Sequence, residues 1–202
     1  MKTTINNKQT QHEVLPVMTK EHLKTLLNSE EITTIHKAFL SLQWNTGLRV
    51  NEVLQVWEHF HNFSKTNKGK MELAKLKTKD ILLKSSVGTQ KKVSIHSVIN
   101  MLGSTFDYYI EAFTEQSPVT NGAITKWFAK FSIILDTRMA SHGVRRGSAW
   151  FLYTTSNDLL LVKEFLNHEN VETTLLYIDS IKLGFKRADM ISLASEIMTK
   201  DS

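Results

Sequence analysis

Three pairs of polar residues have types and spacings that could do chemistry. Arg49 and Glu52 are three apart. His142 and Arg145 are also three apart, directly after Ala140-Ser141. His168 and Tyr177 are nine apart, joined by ENVETTLL. A guanidinium is charged at any biological pH and grips oxyanions through two parallel hydrogen bonds. An imidazole moves protons near neutrality, and a tyrosine hydroxyl can act as a nucleophile. Taken singly, the pairs say little. An arginine and a glutamate at i and i+3 ordinarily form a surface ion pair on a helix. Tyr177 alone reads as a half-buried helix residue. His168 reads as a helix-end cation set against the dipole, and His142 as a capping group.

Order and local sequence add what spacing lacks. Thr46-Gly47-Leu48-Arg49-Val50-Asn51-Glu52-Val53 resembles the first box of the tyrosine recombinase, or phage integrase, family. Ser141-His142-Gly143-Val144-Arg145-Arg146 resembles its His-x-x-Arg box. Leu166-Asn167-His168 through Tyr177 resembles the last box, where a His or Trp precedes the nucleophilic tyrosine by nine residues. The boxes occur in family order, and the resemblance spans roughly residues 19–180.

The resemblance implies a site-specific DNA recombinase. Such an enzyme cleaves and rejoins strands through a 3′-phosphotyrosine intermediate and a Holliday junction. Tyr177 would be the nucleophile, and Arg49 and Arg145 would clamp the phosphate. His142 would assist proton transfer, His168 would bond another phosphate oxygen, and Glu52 would orient Arg49 or His142. The family takes the leaving group's proton from a lysine on a β-hairpin. Lys84 best fits that position, with Lys79, Lys91 and Lys92 as competitors. No metal and no cofactor are implied, because fixed arginines replace the cation and the phosphotyrosine conserves the bond energy. The implied assembly is a tetramer on double-stranded DNA, with a second recombinase or a DNA-bending protein as further partners. A DNA-binding regulator of a full-length recombinase, and topoisomerase-like relaxation of supercoils, are the rival readings.

Some features depart from the family pattern. The chain reads as a catalytic domain alone, similar in size to the fimbrial phase-switch recombinases. Asn167 stands where a glycine is usual, and Arg146 where a second histidine is common. In the family a C-terminal helix packs into the neighbouring subunit.

These side chains need elements to position them. The pattern is mainly helical, with one small antiparallel β-hairpin. Thr19 suits an N-cap ahead of Leu23, Leu26 and Leu27. Ser29 could cap a second helix through Ile32, Ile35, Phe39, Leu42 and Trp44. Gly47 suits the left-handed position that ends it, and a third helix restarts at Leu48. Strands are expected at 81–84 and 92–95, joined around 87–89. From about Ser97 onward the pattern is helical, with breaks near Gly103, Ser117-Pro118, Asn121-Gly122, Ser141–Gly143, Ser156-Asn157, Asn167–Asn170 and Gly184. The expected organisation is a flexible arm over 1–18 and one catalytic domain over 19–202, with a tail helix from about 180.

Composition bounds the function. The 202 residues are 41% hydrophobic and 22% charged, which excludes disorder throughout. Zero cysteines exclude a disulfide framework, an iron–sulfur cluster, a thiolate zinc site and a cysteine nucleophile. No apolar run is long enough to span a bilayer, and the N-terminus lacks an apolar secretory core. A cytoplasmic, nucleoid-associated protein is expected. His59 and His61 are spaced for two metal contacts, but no Cys or acidic cluster accompanies them, so no metal site is expected. Trp44, Trp57, Trp127 and Trp150 read as core.

The net charge is +5. Residues 61–92 hold nine lysines and two acids, a net +7, so the rest of the chain is −2. The basic stretch therefore marks the side expected to face a duplex. Lys75, Lys77, Lys79, Lys91 and Lys92, with Arg146, are the candidate DNA-backbone contacts.

Overall fold

The computed structural model describes residues 16–66, 80–84, 90–94 and 105–200. Three helices form its first half: α1 (Lys20–Asn28), α2 (Thr34–Thr46) and α3 (Val50–Thr66). Two strands follow, β1 (Asp80–Lys84) and β2 (Gln90–Ser94). Five helices complete it: α4 (Thr105–Glu115), α5 (Asn121–Ile134), α6 (Ser141–Ser156), α7 (Leu159–Leu166) and α8 (Val171–Lys200).

Two histidines shape the first helix starts. The Thr19 hydroxyl accepts from His22 N–H at 3.2 Å, and Thr19 N–H donates to His22 Nδ1 at 3.3 Å. Thr33 N–H donates to His36 Nδ1 at 3.1 Å. In each case an imidazole stands where a capping box commonly carries Glu or Gln. Thr33, not Ser29, thus caps α2; Ser29 instead closes α1 and holds Glu31 N–H on its side chain.

Helix α2 is buried on most of its circumference, including Ile35, Phe39, Leu40, Leu42 and Gln43. A helix apolar and covered nearly all round belongs at a centre, and α3, α4 and α6 pack around it. Trp57, Phe60, Phe113, Phe131 and Val144 join its residues in one cluster. A second, smaller cluster holds Ala149, Val162, Leu166, Ile178 and Ile181, from α6, α7 and α8. Trp57 is fully buried, Trp44 and Trp127 pack on the first cluster, and Trp150 packs on the second.

The strands pair antiparallel, with Leu82 opposite Lys92 and Lys84 opposite Gln90. Leu83 is fully buried and β1 lies against α3. The connection at 85–89 lies outside the described residues.

Pro16–Met18, expected in the arm, are seated against α6. Met18 is fully buried and its N–H donates to Gly143 O at 3.0 Å. This close approach needs glycine. A Cβ on Gly147 would stand 1.7 Å from Met18 O, and one on Gly143 would stand 3.0 Å from Pro16 O. Gly184 does not break the last helix; α8 runs through it as one element. Among the described residues, no helix is long and apolar enough to cross a membrane.

Candidate active site

Arg49 sits between α2 and α3. Gly47 ends α2 at φ +61°, a conformation that disfavours any residue with a Cβ. A Cβ there would also meet the Phe165 ring at 2.5 Å. Arg49 follows two residues on, and Glu52 reaches back to it from the first turn of α3. Its carboxylate accepts the Arg49 backbone N–H at 2.7 Å and the Arg49 guanidinium at 3.4 Å. Glu52 is 2% exposed, whereas the Arg49 side chain is 42% exposed. One buried carboxylate thus caps a helix and holds a guanidinium that still faces solvent.

Arg145 is held differently. It is 1% exposed, and backbone carbonyls rather than a carboxylate receive it. It donates to Gly47 O, at the end of α2, and to Leu166 O at 2.9 Å, at the end of α7. Both are C-terminal carbonyls, where helix dipoles favour a cation. Burial and then the Arg49 charge push its pKa down to about 10, so it stays protonated at neutral pH. Because α2 belongs to the first cluster and α7 to the second, Arg145 ties the two together.

Helix α7 ends at Asn167, which adopts φ +51°. Asn167 is thus a residue that tolerates the left-handed region, as the expected glycine would. The turn delivers His168, whose Nε2 lies 3.5 Å from Arg145 Nη2. His168 Nδ1 is 2.9 Å from Thr174 Oγ1. Its ring meets Tyr177 edge to face, with centroids 5.7 Å apart.

Tyr177 lies in the second turn of α8. Its hydroxyl is buried, and no described group stands at hydrogen-bonding geometry to it. Arg145 is nonetheless close enough to act on the phenol. Burial raises the Tyr177 pKa, and Arg145, Arg146 and Arg49 work against that rise. The phenol is thus fully protonated at neutral pH, under the influence of three positive charges.

His142 occupies the first turn of α6. Desolvation lowers its pKa first, followed by Arg146, Arg145 and Arg49. The ring is neutral at pH 7 and can accept a proton. Beside it opens a cleft of about 320 Å³, lined by Arg49, Asn51, Asn121, Ser141 and His142 among others. The starts of α3, α5 and α6 all border this cleft.

Six of the sequence candidates therefore gather in one place: Arg49, Glu52, His142, Arg145, His168 and Tyr177. Arg146 lies beside them and donates to Pro16 O at 3.3 Å. Lys84 ends β1 and Lys91 and Lys92 lie on β2; Lys75, Lys77 and Lys79 fall outside the described residues. His61 has both ring nitrogens engaged, by Thr114 O at 3.0 Å and Ser117 Oγ at 3.1 Å.

The chain matches the phage integrase family over residues 16–183. It belongs to the phage integrase family. No curated protein matches it in sequence. Among solved structures it is similar to the XerH site-specific recombinase bound to palindromic difH substrate in a post-cleavage complex. That match has 18% identity and a TM-score of 0.52, and covers 92% of this chain and 55% of that one. XerH bound to difH in a pre-cleavage complex matches at 18% identity and a TM-score of 0.50, over 82% of this chain and 50% of that one. The XerA recombinase matches at 17% identity and a TM-score of 0.53, over 87% and 66%. The chain thus spans half to two thirds of the length of these proteins, and the likeness is one of fold. Within the phage integrase fold, residue types and spacing assign no role to Thr174, although it lies one helical turn before Tyr177. Nor did they anticipate the seat of Met18, for which the Gly143-x-x-x-Gly147 spacing was the available signal.

Proposed function

We propose that this phage integrase family member is a site-specific DNA recombinase that cuts and rejoins strands through Tyr177. The observation that supports this reading best is the buried Tyr177 hydroxyl, to which no described group stands at full hydrogen-bond geometry, with Arg145 close enough to act on it as charge and donor and with Arg49 and Arg146 adding their charge. A buried polar atom normally has a partner. A phosphodiester held by the arginines would bring its phosphorus to that oxygen.

In this scheme Arg49 and Arg145 bind the non-bridging oxygens and offset the charge that grows on them in the transition state. Tyr177 Oη attacks phosphorus, giving up its proton to the neutral His142 directly or through water. The bond from phosphorus to the 5′-oxygen breaks, and Lys84 protonates that oxygen. The result is a 3′-phosphotyrosine and a free 5′-hydroxyl. Attack by a 5′-hydroxyl of the partner duplex reverses the step and exchanges strands. Four protomers on two duplexes would pass through a Holliday junction. The Lys-rich stretch over 61–92, with Arg146, would lie along the duplex backbone.

Mapping covalent protein–DNA adducts on DNA from the source genome identifies the site. A nicked duplex of that site then traps the intermediate. The wild-type chain is expected to accumulate adduct and Tyr177→Phe none; an adduct formed by Tyr177→Phe overturns the assignment. A 5′-phosphorothiolate, with its better leaving group, is expected to rescue Lys84→Ala, and failure to rescue assigns the proton to another lysine.

A further inference from the structure

Thr174 is fully buried, yet it carries a hydroxyl. Among the described residues that hydroxyl has one partner, His168 Nδ1, at 2.9 Å. It forms no bond to the carbonyl one turn back on α8, the usual outlet for a helical threonine. A buried hydroxyl hydrogen needs an acceptor, and the lone pair of Nδ1 is the one within reach. The proton of a neutral His168 must then reside on Nε2.

The opposite tautomer fits worse. With the proton on Nδ1, Thr174 would accept, and its own hydrogen would have no acceptor. Nε2 would then accept from Arg145 Nη2 across 3.5 Å, well beyond the ordinary N–H donor distance of about 2.9–3.0 Å. That separation suits two donors lying side by side better than a donor facing an acceptor.

We infer that Thr174 is a positioning residue that holds His168 in the Nε2–H tautomer, so that a neutral imidazole and Arg145 point two donors at one phosphate oxygen. The catalytic half of this inference rests on the recombinase reading; the tautomer does not. Its consequence is that His168 donates without needing a second proton. Three elements present charged or titratable groups around the ring. Arg145 comes from α6, with Arg146 beside it, and Tyr177 comes from α8. Helix α7 contributes the Lys163–Glu164 ion pair, 3.1 Å apart, and the Lys163 carbonyl that receives His168 N–H. Arg49, from the α2–α3 turn, acts on the neighbouring Tyr177, and Glu169 is next in the chain. The Thr174 hydroxyl, 2.9 Å from Nδ1, is a group that can donate to it.

Two measurements test the inference. The first uses the free, intact chain with ¹⁵N-labelled histidine, above the pH at which His168 titrates. The expected spectrum places the proton on Nε2 in wild type and in Thr174→Ser. In the near-isosteric Thr174→Val, with a dispersed spectrum proving the fold, the proton is expected on Nδ1 or shared. A wild-type ring protonated on Nδ1, or a Thr174→Val ring unchanged from wild type, overturns the inference.

The second measurement is the pH profile of adduct formation on the nicked duplex. Thr174→Val must borrow a second proton for His168 to donate. Its rate relative to wild type is expected to fall about tenfold between pH 6 and pH 8, while Thr174→Ser tracks wild type. A loss by Thr174→Val that is the same at every pH would mark a merely structural residue and overturn the positioning role. If wild type forms no adduct on any DNA, the recombinase reading fails while the ring spectrum still decides the tautomer.

Discussion

Replacing Gly147 by alanine puts a methyl group where a hydrogen stood, in a position with no room for it. The new Cβ would stand 1.7 Å from Met18 O and 2.8 Å from Met18 C. Backbone, not a flexible side-chain end, occupies the space, so the Pro16–Thr19 segment has to leave. With it go the full burial of Met18, worth about 1.5–3 kcal/mol, and its hydrogen bond to Gly143 O, worth about 0.5–1.5 kcal/mol. The expected loss is about 3 kcal/mol. For a chain of this size that lowers Tm by roughly 6–12 °C. Gly184→Ala is the control. It lies in the interior of α8 with nothing within 4 Å of an added Cβ, and the same substitution there should stabilise by about 0.5–1 kcal/mol. Urea unfolding followed by circular dichroism measures both. A Gly147→Ala chain within about 1 kcal/mol of wild type would show that the segment is not seated on α6. A Gly184→Ala chain as damaged as Gly147→Ala would show that helix propensity does not govern α8.

Further outcomes follow from the site. The His142 pKa lies below 6.5, so between that depressed value and 6.5 the unfolded chain binds more protons; stability from His142 is present above this window and is lost as pH falls through it. Arg146→Ala removes the largest charge acting on it and should raise its midpoint by NMR titration; an unmoved midpoint contradicts that attribution. Arg145→Lys cannot span Gly47 O and Leu166 O together, and the carbonyl left without a donor should cost about 1–3 kcal/mol in urea unfolding. Glu52→Gln keeps an acceptor for Arg49 N–H but loses the ion pair. It should leave the chain folded and slow adduct formation about tenfold, or about 1.4 kcal/mol; a rate equal to wild type would deny Glu52 a part in placing Arg49.

Much of this site was legible because its backbone needs are unusual. Gly47 announced a left-handed helix end, and the structure adds that its carbonyl receives Arg145. The substitution at Asn167 looked like a departure, yet Asn is the side-chain-bearing residue that best accepts that backbone region. The misses have physical causes too. Ser29 looks like the cap of α2 by residue type, and only the pairing of Thr33 with His36 shows that the helix starts later. Gly184 looked like a stop because glycine disfavours helix, but a helix this long outweighs one weak residue. Burial of Arg145 among carbonyls could not be read from spacing, since its partners come from two distant helix ends.

The turn from Gly47 to Arg49 has a consequence for the two guanidiniums. Its carbonyl seats Arg145 and, two residues later, the same turn launches Arg49. The two charges therefore start from one short stretch of main chain, and the Glu52 carboxylate places the head of Arg49. After burial, the Arg49 charge is what most depresses the Arg145 pKa, so the free chain carries a repulsion between the two guanidiniums. An anion lodged between them removes it. Affinity for a phosphate diester and fragility of the unliganded protein are then two expressions of one quantity. Changes that harden the free chain at this turn would weaken its grip on such an anion, and hardening is better sought elsewhere, as at Gly184.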